Sequence, residues 1–427
     1  MSSIADEYGP RNIVGYGQNP PDAKWPGGAK IAISIVLNYE VRNTRGLWVV
    51  TMLDPRAPTL TRAASKAGSP VCSEARTRPR RATSCPERPS DPYTDGAAEE
   101  GSEASPMNGD PQSEKLCSEL GPGCEALDGR NVNIESLYEY GSRAGVWRIL
   151  RLFKEYGVNC TSYMVGQALL MNPEVGRVMV QEGHEVASHG WRWVDRSGWS
   201  EEEEVENVRQ AITAIKSITG QPPRGWYYGM VQTKAGARSR GLVARTYAEE
   251  GLPLKYYSDD YSDDLPYWVK YPGGTGKQEE GAKGEGQGLL IVPYAAGDDG
   301  GGDGDDGAVL AMAAAAAGTM PAVPTVAVVT SALDTNDYKD GSHNAWLTPD
   351  NFASYLIGAF DELYREGLAG SPKMFSIGLH CRLVGRPGRL AGLRKFLEHT
   401  RKYEGVWFAT REEIADHWME TYPYKAA

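Results

Sequence analysis

Three times in this chain a short apolar run of strand character ends in a side chain that can carry a proton. Ile31–Leu37, IAISIVL, is a nearly unbroken and largely β-branched stretch, the pattern of a strand buried on both faces, and it opens into Asn38-Tyr39-Glu40. Residues 181–195 read QEGHEVASHGWRWVD. Gly183 suits the stop of a helix that Val180 closes, and Glu185–Ser188 then alternates as a short strand delivering His189 to its carboxyl end. Met374–Leu379 does the same for His380 within SIGLHCR. Parallel α/β folds gather their chemistry at the carboxyl ends of strands, so these three side chains are candidates for one site. The plainer alternative makes the histidines hydrogen-bonded members of the core or its rim and Glu40 a loop cap.

The stretches between them alternate strand and helix. A stripe of Ile149, Leu152 and Phe153 predicts a helix that Gly157 stops, and residues 159–165 follow as a strand. Helices are expected over 172–181 and over 201–218, the latter with Val205, Val208, Ile212 and Ile215 on one face and acidic residues in its first turn. Residues 221–230 read as strand and loop, 254–268 as a strand end opening into an acidic, aromatic loop, and 289–294 as a strand. Helices at 351–367, 388–403 and 411–419, with a short strand at 405–409, complete the series. Repeated strand-then-helix order is the signature of a parallel α/β fold.

Two segments break the pattern. Residues 41–98 have little periodicity and much Pro, Ser, Thr, Arg and Ala, and read as a disordered insertion or a retained intron. Residues 295–327 are of low complexity and include GDDGGGDGDDG, which lacks the regular repeat of calcium sites and reads as a solvated linker.

A net charge of −11 argues against nucleic acid or an anionic membrane as partner and favours an enzyme for a small or neutral substrate. Six scattered cysteines without a CxxC read as reduced thiols of an intracellular protein, and MSSIADEYGPRN lacks the basic and apolar regions of a secretory signal. The uncharged run 308–333 is long enough to span a bilayer, but it is mostly small residues interrupted by Gly318, Pro321 and Pro324.

Longer strings carry a resemblance. RLFKEYGVNCTSYMVG, GHEVASH and a late IGLH resemble the polysaccharide deacetylase superfamily, the NodB-homology type. VGYGQNPPDAKWPGGAKIAISIVLNYE, ESLYEYGSRAGVWR, ASHGWRWVD, SDDLPYWV, LDTND and SIGLHCRLVGRPGR resemble its uricase-associated, metal-independent allantoinase branch, related to the cyclic imide hydrolases. The resemblance implies an irregular (β/α)7-type barrel, one catalytic unit over 1–427 with 41–98 and 295–327 inserted. It also implies a homo-oligomer such as a tetramer, and a cytoplasmic or peroxisomal place in purine breakdown.

Matched residue by residue, the superfamily's paired aspartates fall on Tyr39 and Glu40, and its two metal-binding histidines on His189 and Trp193. That leaves two ligands where zinc or cobalt needs at least three, so no cofactor is expected. Arg224 matches the arginine of the third motif, Asp264 and Trp268 the fourth, and His380 the histidine of the last. For ring opening of allantoin, the resemblance makes Glu40 or His189 the base, His380 the acid toward the leaving nitrogen, and Arg224 and Asp264 orienting groups or a structural ion pair. Tyr39, Glu135, Trp191, Trp193, Trp226, Trp268 and Asp334 are candidates for substrate contact, the tryptophans alternatively for core. Glu135, Tyr138 and Arg143 suit either the pocket or a neighbouring subunit. The rivals are a polysaccharide or chitin-type N-deacetylase, which would want a metal and an open groove, and a catalytically dead binding protein.

Overall fold

The computed structural model describes residues 14–40, 132–193, 196, 198–229, 234–270, 288–293, 335–337 and 348–425. The segments 41–98 and 295–327, and Asp334, lie outside them. The strands are β1 (Ile31–Tyr39), β2 (Thr161–Met164), β3 (Glu185–Ser188), β4 (Gly225–Trp226), β5 (Tyr256–Tyr257), β6 (Tyr267–Lys270), β7 (Gly288–Ile291), β8 (Lys373–His380) and β9 (Val406–Phe408). The helices are α1 (Val132–Tyr140), α2 (Val146–Tyr156), α3 (Gly166–Met171), α4 (Pro173–Gln181), α5 (Glu201–Thr219), α6 (Lys234–Glu249), α7 (Pro349–Leu368), α8 (Pro387–Thr400) and α9 (Arg411–Thr421). A π-helical turn, Gly141–Gly145, joins α1 to α2.

The strands form one sheet in the order β6-β7-β5-β4-β3-β2-β1-β8, parallel except for the β6–β7 pair. β1 is its axis. All nine of its residues are buried, and the β-branched run is covered on both faces as its composition requires. It pairs with β8 from Ile31 opposite Lys373 to Asn38 opposite His380. Its other edge is shared: β9 takes Ile31–Ile33 and β2 takes Val36–Tyr39.

The sheet curls until its far ends meet. Arg411, the first residue of α9 and fully buried, donates from Nη1 to the carbonyls of Val292 and Pro293 beyond β7, both at 2.7 Å, and from Nη2 to Ser376 Oγ of β8 at 2.7 Å. A buried guanidinium needs acceptors, and here the two sheet ends supply them to both of its terminal nitrogens. The result is an irregular α/β barrel.

Helices cover the outer face. α2 lays Ile149, Leu152 and Phe153 into the largest apolar cluster, each burial contributing roughly 1.5–3 kcal/mol. Capping boxes start α5 (Ser200 with Glu203), α7 (Thr348 with Asn351) and α9 (Thr410 with Glu413). Among the described residues no helix is long and apolar enough to cross a membrane.

Candidate active site

Glu40, His189 and His380 converge at the carboxyl ends of β1, β3 and β8. Glu40 follows the last residue of β1, His189 follows β3, and His380 ends β8. Glu40 Oε1 lies 3.2 Å from His189 Nε2, and its Oε2 accepts a hydrogen bond from Arg382 Nη1. Burial alone would raise the Glu40 carboxyl. The adjacent guanidinium and imidazole outweigh it and hold the group well below the ordinary carboxylate range.

The His189 ring has an acceptor at each nitrogen: the Tyr227 carbonyl sits 3.0 Å from Nδ1 and Glu40 faces Nε2. A carbonyl only accepts, so Nδ1 carries a hydrogen, and the Glu40 contact then needs one more proton shared between Nε2 and the carboxylate. Tyr227 stacks on the ring at 5.3 Å and 9°, with Tyr163 stacked on Tyr227 at 4.8 Å.

His380 is held by Asp337. Oδ1 of Asp337 is 2.7 Å from His380 Nδ1, while Oδ2 accepts from the backbone N–H of His380 at 2.9 Å and of Val384 at 3.0 Å. Burial pulls the imidazole down, but the carboxylate more than compensates, so its proton affinity is raised. The ring's Nε2 is 3.4 Å from the Asn38 amide nitrogen, on the β1 residue paired with it. Asp337 reaches the ring because Asn336 bridges to Gly378 beside β8.

The turn between α1 and α2 supports the other side. A Cβ on Gly145 would sit 2.1 Å from the Cys381 carbonyl, and one on Gly141 2.9 Å from the Arg382 nitrogen. Only glycine permits that approach. It presses the π-helical turn onto the loop carrying Arg382, whose guanidinium lies over the Tyr138 ring at 4.5 Å. Tyr39 points into the same turn, its hydroxyl 2.7 Å from Ser142 Oγ, and burial pushes its phenol up.

Several residues expected in the site lie elsewhere. Arg224 precedes β4 at the opposite end of the barrel, where Nη1 pairs with Glu412 Oε1 at 2.7 Å. Asp264 accepts through its backbone carbonyl from Met374, at the start of β8, which places it six strand positions or about 20 Å from His380. Trp268 donates from its indole to the Tyr422 carbonyl at 2.6 Å and packs on Tyr424. Trp226 is fully buried in the layer against α6, edge-on to Tyr247. For these four, strand position rather than motif match decides: each sits at the start of a strand or on the helix-facing side.

Trp193 does reach the site. Its ring lies 6.3 Å from that of His189, and its Nε1 donates to the Tyr228 carbonyl at 2.8 Å. Trp191 is half-buried, its backbone bonded to Asn207 and Gln167. Glu135 lies in α1, and its side chain is outside the described set. Of two further residues central to the geometry, Asp337 is expected from the sequence only as part of the 334–337 stretch supplying substrate hydrogen bonds at the barrel mouth, and Arg382 is assigned no role, though both stand in strings that carry the resemblance, LDTND and SIGLHCR.

A family model described as polysaccharide deacetylase matches residues 130–240. A Schizosaccharomyces pombe protein bearing the polysaccharide deacetylase name is 41% identical over 299 residues, covering 70% of this chain and 79% of its own length. The chain belongs to the polysaccharide deacetylase family. It is a hydrolase of that superfamily.

Two solved structures extend the family likeness over nearly the whole chain. A Pseudomonas aeruginosa PAO1 protein assigned to the polysaccharide deacetylases is 36% identical, with a TM-score of 0.64, covering 97% of this chain and 100% of its own. PuuE allantoinase is 35% identical, with a TM-score of 0.63, covering 97% and 99%.

Among its described residues this polysaccharide deacetylase family member does not offer a divalent cation a suitable donor set. Among the described residues no group of three or more His, Cys, Asp or Glu side chains could hold a metal ion. Glu40 spends both oxygens on His189 and on the permanent cation of Arg382. Position 193 supplies an indole N–H, a donor where a metal needs a lone pair.

Proposed function

We propose that this chain hydrolyses the ring amide of a cyclic ureide or imide, with allantoin as the favoured substrate. The observation that carries the reading is Glu40 clasped between His189 and Arg382, a cluster that puts a guanidinium on the carboxylate expected to hold a metal. Similarity to PuuE allantoinase across 97% of the chain supports the same substrate class.

A carboxylate held so far below its ordinary range is a weak proton acceptor, so Glu40 serves to orient Arg382 and His189. His380, its proton affinity raised by Asp337, is the better proton carrier. It takes a proton from water as the water oxygen bonds to the ring carbonyl carbon. Arg382, oriented by Glu40, donates toward the oxyanion that develops. The C–N bond then breaks, His380 returns its proton to the leaving nitrogen, and the new acyclic carboxylic acid loses its own proton to solvent and departs as the carboxylate.

The test is ring opening of allantoin by the purified protein after exhaustive chelation, with His380→Ala as control. Turnover that survives chelation and is lost in the variant supports the reading. Failure to turn over allantoin, with metal-restored release of acetate from an N-acetylated sugar, would replace it with polysaccharide deacetylation.

A further inference from the structure

On this acidic chain most described arginines face carboxylates, as Arg238 faces Glu204 and Arg394 faces Glu155. Arg148 and Arg386 do not. Both converge on one side chain, Tyr140, in the wall next to Arg382. Arg148 Nη1 donates to Tyr140 Oη at 2.6 Å and to the Gly385 carbonyl. The Arg386 guanidinium lies over the same ring, 3.8 Å from its centroid, and its Nε reaches the Arg382 carbonyl at 3.4 Å.

Both side chains are half-buried, and no carboxylate among the described residues pairs with either. Two guanidiniums gathered on one tyrosine cost electrostatic repulsion, which an anion bound by both would relieve. The ring contact of Arg386 and the bonds of Arg148 to the Tyr140 hydroxyl and the Gly385 carbonyl hold both side chains in place in advance, so little order is lost when a planar anion binds. Tyr156 also carries two arginines, Arg394 and Arg401, but there Arg394 is paired with the Glu155 carboxylate.

We propose that Arg148 and Arg386, braced by Tyr140, form a binding subsite for a small carboxylate at the rim of the active site. Its natural occupant is the acyclic carboxylate formed when the ring opens. That last assignment rests on the ring-opening function proposed above, whereas the subsite itself does not. Arg386 comes one turn after Arg382, so a ligand leaving the reacting centre can pass directly to it.

Calorimetric titration of the full chain with allantoate, and with inorganic phosphate as a second anion, tests the subsite without turnover. Arg386→Gln and Arg148→Gln should each weaken allantoate binding about tenfold, and Arg386→Lys should restore part of the loss. Thermal melting of the variants at the wild-type temperature shows that they fold.

Binding of allantoate unchanged in both variants, or no allantoate binding by the wild type, overturns the proposal. Phosphate bound as tightly as the carboxylate overturns the assignment to carboxylates. Wild-type binding that the variants lose, in a protein that does not open allantoin, sustains the subsite and removes the ring-opening reading.

Discussion

Asp337 grips His380 twice, through ring Nδ1 at 2.7 Å and through the backbone N–H at 2.9 Å, so one carboxylate fixes both the orientation of the ring and the end of β8. The second bond ties the imidazole to the strand as well as to its partner. A residue four positions on, Val384, is held by the same oxygen.

Asp337→Asn should therefore lower kcat/KM by about 10²- to 10⁴-fold, with the acid limb of the pH profile moving to lower pH. The stability effect has a defined sign. The raised proton affinity of His380 stabilises the fold fully below the unfolded value of 6.5 and is lost as pH rises through the folded one. Melting temperature against pH should fall less across that window in the variant.

Glu40→Gln leaves the Arg382 guanidinium buried beside a neutral amide, a loss expected to cost about 3–5 kcal/mol. In the wild type the depressed Glu40 carboxyl contributes stability above its unfolded value of 4.5, lost as pH falls below it. Denaturant unfolding at several pH values should show that acid-side loss in the wild type and a smaller one in the variant.

Glu185 works in the other direction. It starts β3, bonded to Thr161, Tyr256 and the Glu412 nitrogen, and burial outweighs these bonds to raise its carboxyl to about 7. Stability should fall as pH rises from 4.5 through that value, by at most about 3 kcal/mol. Glu185→Gln should flatten the melting curve over that interval.

Gly145→Ala places a methyl group 2.1 Å from the Cys381 carbonyl. Relief requires the π-helical turn and the Arg382 loop to separate. We expect a loss of about 1–3 kcal/mol, read by denaturant unfolding, and a larger relative loss of activity than of stability.

Much of this architecture is legible in the sequence. β3 falls on Glu185–Ser188 as expected, and β1 and β8 extend the predicted runs by a residue or two. Strong periodicity and β-branched content made these stretches unambiguous. α6 escaped because its sequence, KAGARSRGLVARTYAE, has glycines and arginines where an apolar stripe would show. β4 and β5 are two residues each, too short for any period to register.

The site divides along the same line. Glu40, His189 and His380 could be found because each ends a strand whose direction the sequence declares. Arg224 and Asp264 matched motifs, but a motif does not say which end of a strand a residue occupies. Asp337 is fixed by one bridge to Gly378, a contact with no local signal.

The division of β1 between two partners on one edge has a consequence for how the chain assembles. Ile31 pairs with Val406 as well as with Lys373, so the earliest strand of the sheet finds its neighbours among the most distant residues in sequence. A ribosome-bound chain stopped before residue 373 holds β1 with its β8 edge open and half of the other edge uncovered. Such pairings close late and at high entropic cost, so folding is slow and gated by completion of synthesis. During that wait IAISIVL is an exposed apolar strand, the segment from which aggregation of the nascent protein would begin.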